Sequence, residues 1–280
     1  MNDKVSVIIP VYNASRWAES MAESIQENLA TVGELILVND GDKEDFAILL
    51  GKMQASLNIP IHSLCTRGRE GPGKARNIGI DHASFEYIAF LDCDDQWSPN
   101  SLEKRLALLK RSNGAPFVYS SYYRLSLDGR VTNLTKVPPL AKLEMLFVTN
   151  FIATPSVVIQ RASLGNLRFK VIGHEDYDFW LRLIRFAGAD AIGLVEPVVN
   201  VRTATGSVSS AKTHAALWHY RILISHGIPL ALRLLLFAGY CANALLKRKI
   251  RLYTPLFFGF DHIMGWWLSQ RNKLVKAPSK

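Results

Sequence analysis

Apolar residues fall in short runs along the first hundred positions, and each run is followed by a stretch with helical spacing. VSVIIPVY (5–12) is a β-branched apolar run, the pattern of a strand buried on both faces. Trp17, Met21, Ile25 and Leu29 then recur every four positions, as on one face of a helix. ELILVND (34–40) predicts a second strand, 42–53 a second helix and IPIHSLC (59–65) a third strand. A glycine-rich loop leads into a helix near 75–83, and YIAFLD (87–92) predicts a fourth strand. Ser98-Pro99 reads as the N-cap and first residue of the next helix. This alternation predicts an α/β chain with a mostly parallel central sheet and helices on both faces. Such sheets bind ligands beyond the carboxyl ends of their strands.

The pattern changes near Ala115. FVYSSYYRLSLDGRVTNLTKV alternates around Asp128-Gly129, a hairpin signal. PSVVIQ (155–160) predicts another strand, and Phe179, Leu183 and Phe186 give helical spacing after HEDYD. No long linker interrupts residues 1–210, so 1–114 and 115–210 are expected to share one sheet, with 211–280 as a separate tail.

The composition, 49% hydrophobic and 20% charged, excludes a disordered chain, and 280 residues suit one large domain or two joined halves. Cys65, Cys93 and Cys241 are too few and too scattered for a disulfide framework or a zinc site, which suggests a reducing compartment. The N-terminus lacks the basic region and apolar run of a secretory signal. The formal charge of +9 invites a nucleic-acid reading until it is divided. Residues 211–280 hold eleven Lys or Arg against Asp261, a net +10, which leaves −1 for residues 1–210. The basic excess belongs to the tail and not to a catalytic cleft.

Three strands end in polar groups: Asn13, Asp40, and the pair Asp92 and Asp94. FLDCDD (90–95) delivers alternate carboxylates to the functional edge, hard oxygen ligands suited to Mg²⁺ or Mn²⁺. Acids after a strand also cap the next helix, and Asp95 or Ser98 is placed to do so. The loop Gly68 to Lys74 nearly matches a P-loop, but Ala75 stands where the magnesium-binding hydroxyl belongs. Glu175, Asp176 and Asp178 open an amphipathic helix, where acids suit the helix dipole. One of them is equally a candidate general base.

SVIIPVYN, LILVNDGD, GKARNIGI, FLDCDD, TPSVVIQRA and HEDYDFWLRL occur in the order and spacing of glycosyltransferase family 2. The chain resembles these inverting GT-A enzymes over about residues 4–210. The resemblance implies a nucleotide-diphosphate sugar donor, a divalent metal (Mn²⁺ or Mg²⁺), and a nucleotide-binding half (1–114) joined to an acceptor half carrying the base (115–210). Pro10, Tyr12 and Asn13 match the segment lining the nucleotide pocket. Asp40 resembles the aspartate that accepts from the base, which favours uracil and hence a UDP-sugar. Lys74, Arg76 and Asn77 match the segment flanking the nucleotide. Asp94 matches the metal ligand, and Asp92 is shared between ribose and metal. Asp176 matches the catalytic base, with Glu175 beside it. RTATGSVS, from Arg202, resembles a segment closing over the diphosphate. Two departures stand out: Pro72-Gly73-Lys74 replaces smaller or hydroxyl residues, and Asp42 replaces a usual Ser.

Residues 228–246 nearly reach spanning length, but Arg233 brings the insertion sum close to zero, so an interfacial helix is expected. Lys247, Arg248, Lys249 and Arg251 follow, and Trp266 and Trp267 suit an interface. These features predict a tail on an anionic membrane surface, which fits what the resemblance implies: a lipid-linked saccharide acceptor of bacterial surface-polysaccharide assembly at the cytoplasmic face of the inner membrane. The alternative is that the helices pack on the catalytic half or on a second subunit in a homodimer. The rival functions, a P-loop NTPase and a nucleic-acid binder using the tail, are disfavoured by Ala75 and by the tail's apolar residues.

Overall fold

The computed structural model describes residues 3–203, 212–249 and 252–253. The expected closing segment beyond Thr203 and the aromatic stretch at 256–268 lie outside these residues. β1 (Val5–Val11) is buried at every position but Pro10, as an apolar run inside a sheet should be. A 3₁₀ turn and α1 (Ala18–Gln26) lead to β2 (Val32–Asn39). Asp42 caps α2 (Lys43–Ser56), accepting from the N–H groups of Glu44 and Asp45 at 2.8 and 2.9 Å. β3 (Ile61–Cys65), α3 (Pro72–His82) and β4 (Tyr87–Phe90) complete the first half. β1 pairs in parallel with β2 and β4, and β2 with β3. α3 begins three residues before the expected start because Pro72 takes the first helical position.

β5 (Gln96–Trp97) precedes α4 (Ser101–Arg111). Ser98 is not the N-cap of that helix. Its N–H donates to the Val198 carbonyl at 3.0 Å, so it still belongs to the sheet, and Asn100 enters the helix from a left-handed conformation. β6 (Phe117–Leu125) and β7 (Val131–Thr135) form the expected hairpin, with Gly129 at φ 83°. β8 (Leu140–Ala141) and α5 (Leu143–Val148) follow, and β9 (Val158–Gln160) lies antiparallel between β4 and β6. After α6 (Glu175–Ala187) comes β10 (Ala191–Arg202), parallel to β6 and antiparallel to β5 and β8. The two halves share one sheet of eleven strands among the described residues.

α7 (Lys212–Ser225) and α8 (Leu230–Lys249) form a helical hairpin, and β11 (Leu252–Tyr253) joins β7 in parallel. The hairpin docks on the body formed by the preceding elements. Ile222, Leu223, Ile228, Leu232 and Leu236 enter the same hydrophobic core as β1. In its turn, His226 Nε2 lies 3.1 Å from Asp178 Oδ1 of α6. The opposite face of α8 exposes Leu230, Leu234, Leu235 and Leu245. Arg233 is not on that face; its guanidinium sits 5.7 Å from the Tyr220 ring of α7. Among the described residues no helix is long and apolar enough to cross a membrane.

Candidate active site

The carboxyl ends of β1, β2 and β4 open onto a cleft of about 520 Å³, walled by Pro10, Tyr12, Asn13, Trp17, Asp40, Arg69, Arg76, Asp92 and Asp94. A second cleft, of about 430 Å³, is walled by Asp92, Asp95, Tyr122, Arg124, Asn150, His174, Asp176, Tyr177, His219 and Tyr240. Asp92 stands in both walls, so the clefts meet at the end of β4.

Asp40 is buried and organises the glycine-rich loop. Its carboxylate accepts from the Thr66 hydroxyl at 2.7 Å and from the N–H groups of Glu70 and Gly71, each at 2.8 Å. Gly71 adopts φ 90°, a conformation that favours glycine, and turns the loop into α3. The loop carries Arg69 over the exposed ring of Tyr12 at 4.6 Å. Asn13 is also left-handed, at φ 46°, and its Oδ1 accepts from the Asp42 N–H at 3.0 Å.

Arg76 is buried between two acidic elements. Its Nη2 donates to Asp92 Oδ1 at 2.6 Å, and its Nη1 lies 3.7 Å from Glu175 Oε1. Burial works against the guanidinium charge, but Asp92, Glu175 and Asp176 outweigh it and hold the arginine pKa above its ordinary value. Glu175 is pushed up by burial and by Asp176, with Arg76 opposing. Glu175 lines neither cleft and serves Arg76 instead.

The D-x-D-D turn is clamped from β10. Asp95 accepts from the Arg202 N–H at 2.7 Å, and the Arg202 guanidinium donates to the Asp94 carbonyl at 2.8 Å while lying 4.6 Å from the Trp17 ring. Asp95 is thus tied to a strand and caps no helix. Burial, then the Asp92 charge, raises the pKa of Asp94, and burial with the charges of Asp92 and Asp94 raises that of Asp95 well above its ordinary value. Among the described residues no three His, Cys, Asp or Glu side chains converge as a ready-made cation site.

Asp176 opens α6 after His174, a left-handed residue at φ 57° whose ring packs edge-on against Trp218 at 5.1 Å. Burial lowers the His174 pKa, with the Asp176 charge opposing. One oxygen of Asp176 accepts from the Tyr177 N–H at 2.7 Å, and among the described residues no other hydrogen bond reaches the carboxylate. Lys74 and Asn77 line neither cleft. Lys74 is exposed, and the Asn77 amide brackets the Phe169 backbone, donating at 2.8 Å and accepting at 2.7 Å. Sequence reasoning missed Trp17, Arg69, Arg124, His219 and Tyr240. Arg69 sits in a loop already singled out, whereas the others belong to no local motif.

Residues 6–165 match the family described as Glycosyl transferase family 2. The chain belongs to that family. This glycosyltransferase is 29% identical over 244 residues, 87% of its length and 94% of the relative's, to the UDP-Glc:alpha-D-GlcNAc-diphosphoundecaprenol beta-1,3-glucosyltransferase WfaP of Escherichia coli. It is 28% identical over 247 residues to an uncharacterized glycosyltransferase of Haemophilus influenzae, covering 88% and 98% of the two chains. Its fold is GT-A. The mannosyltransferase PcManGT of Pyrobaculum calidifontis, solved with GDP-Man and Mn²⁺, superposes with a TM-score of 0.64 at 17% identity, over 86% of this chain and 70% of that one. S. aureus TarS, solved with UDP-GlcNAc, gives 0.62 at 16%, over 85% and 71%.

Proposed function

We propose that this glycosyltransferase moves a sugar from a UDP-sugar to a lipid-linked saccharide in surface-polysaccharide assembly, with inversion at the anomeric carbon. The observation that carries this reading is the shared Asp92: a cleft edged by Asp40 and Asp94 meets a cleft edged by Asp176 at one carboxylate. The first cleft takes the donor. Tyr12, Arg69 and the Asp40-bound loop hold its nucleoside end, and Arg76 holds Asp92 in place. The second cleft takes the acceptor. Asp176 has a carboxylate oxygen that no hydrogen bond among the described residues occupies, and it accepts the proton of the attacking hydroxyl. The hydroxyl oxygen bonds to the anomeric carbon as the bond to the diphosphate breaks on the other face, which inverts the configuration.

Asp94 and Asp92 are the residues that would hold a divalent cation such as Mn²⁺ or Mg²⁺. Two carboxylates are hard oxygen ligands and suit an ion that would take its remaining ligands from a diphosphate. Such an ion, when bound, neutralises charge on the leaving diphosphate. Uridine as the base and a lipid diphosphate on the acceptor are supported by the named reaction of the Escherichia coli relative. A place on the cytoplasmic face of the inner membrane is supported by the apolar face of α8 and the four basic residues at 247–251.

The test is a panel of nucleotide sugars with Mn²⁺. UDP-sugar binding should be lost in Asp94→Ala and kept in Asp176→Asn. Transfer by Asp176→Asn should fall by about 100- to 10,000-fold, the range for a general base. Transfer by that variant at the wild-type rate would place the base elsewhere, and a chain that binds no UDP-sugar would refute the donor.

A further inference from the structure

We infer that Tyr240 of α8 seats the saccharide ring of the acceptor beside Asp176, which makes the C-terminal hairpin part of the active site. The inference rests on the reading of the second cleft as the acceptor side, and it adds the residue and the contact. That cleft is closed by Ala215 and His219 from α7 and Tyr240 from α8, which face it together with Asp176 and Tyr177. The aromatic members form a column. The Tyr177 hydroxyl donates to the Leu146 carbonyl, fixing the base of the column against α5. The Tyr177 ring stacks on His219 with centroids 5.6 Å apart and planes 7° apart. His219 stacks in turn on Tyr240, at 4.1 Å and 14°.

The exposure along the column selects the residue that meets a ligand. Tyr177 is 2% exposed and His219 1%, so both are core, whereas Tyr240 is half-buried at the cleft wall. Among the described residues no hydrogen bond holds its hydroxyl, and the ring packs on His219 and Phe237. A rigid aromatic face beside a carboxylate base suits a pyranose. Its apolar C–H face packs on the ring, and its hydroxyl edge turns to polar groups. Arg124 supplies such a group in the same wall, held by its own donation to the Tyr122 hydroxyl at 3.0 Å.

The geometry of α8 links this contact to the lipid. Leu232, Leu236, Gly239 and Asn243 face the core, and Leu230, Leu234, Leu235 and Leu245 face outward. Tyr240 lies on the flank between these faces. One helix therefore presents a sugar platform on its side and an apolar strip on its outer surface, the two parts that a glycolipid acceptor needs.

The experiment uses the full chain with UDP-glucose and α-D-GlcNAc-diphosphate on a short alkyl chain, the pair suggested by the named relative. Tyr240→Ala should raise the acceptor KM about tenfold, the loss of one aromatic contact. The donor KM and the slow hydrolysis of UDP-glucose by water should not change. Tyr240→Phe keeps the ring and should stay near wild type. An unchanged acceptor KM in Tyr240→Ala overturns the platform. Parallel loss of donor and acceptor affinity also overturns it, since that marks a role in folding alone. If the wild-type chain binds UDP-glucose but makes no product from this acceptor, the acceptor class proposed above fails, and the platform falls with it.

Discussion

Arg76 is a buried cation with two acidic clients, Asp92 from the end of β4 and Glu175 from the start of α6. Removing it leaves both carboxylates without their charge partner. Arg76→Met should therefore lower unfolding free energy by about 3–5 kcal/mol, the cost of breaking a buried pair. Arg76→Lys should recover only part of this, since an ammonium cannot reach both acids from one planar fork. Denaturant titration checks both variants, and stability equal to wild type would mean that the acids find other partners. The segment around Arg76 is legible in the sequence, but the direction of its side chains is not. Lys74, Arg76 and Asn77 are expected together at the nucleotide, yet only Arg76 reaches the cleft, while Asn77 turns to Phe169. Side chains on a helix fan out by about 100° per residue, which turns Arg76 to a different face from Lys74 and Asn77.

α6 carries Asp176, the proposed base, in its first turn and is anchored two residues later at Asp178. Asp178 is buried and takes bonds from Arg182 at 2.6 Å and His226 at 3.1 Å, with Lys170 at 3.6 Å. Burial alone would raise its pKa, but His226 and Arg182 pull it down to about 2. A depressed carboxylate stabilises the fold above its unfolded pKa of about 4. That contribution is lost as pH falls from there toward about 2. Asp178→Asn should remove this acid-side slope, seen as a flatter stability curve between those limits. A variant with the wild-type slope would assign the acid sensitivity to another group. At this scale β1, β2 and β4 are legible because strands buried on both faces read as unbroken apolar runs. β10 is not, because Gly193, Glu196 and Pro197 interrupt it and the pairing with β6 slips on either side of Pro197. The displaced start of α4 has the same origin, since a long-range pair between β5 and β10 holds Ser98 in the sheet.

The charge of the molecule is divided between a near-neutral body and a basic C-terminal stretch, and this division is plain in the sequence. The hairpin within that stretch was expected at a membrane or against the body, and the fold places one face of α8 in the core and leaves the other bare. Leu234→Glu with Leu235→Glu changes only residues that are 57% and 40% exposed. The fold should survive, while binding to anionic phosphatidylglycerol vesicles at low salt weakens at least about tenfold. Cosedimentation measures this. Unchanged vesicle binding would exclude this face, and loss of a wild-type dimer in the double variant would give it to a second copy instead. The docking of the hairpin also bears on how the molecule is made. A ribosome releases the chain from its N-terminus, and the β1 to β4 half can close from neighbouring segments as they emerge. Asp178 has to wait 48 residues for His226. The half that carries Asp40 and Asp92 is therefore complete early in synthesis. The wall that carries His219 and Tyr240 is finished only when α8 has left the tunnel, so on the proposed reading a nascent chain cannot present a whole acceptor cleft before its C-terminal hairpin has emerged.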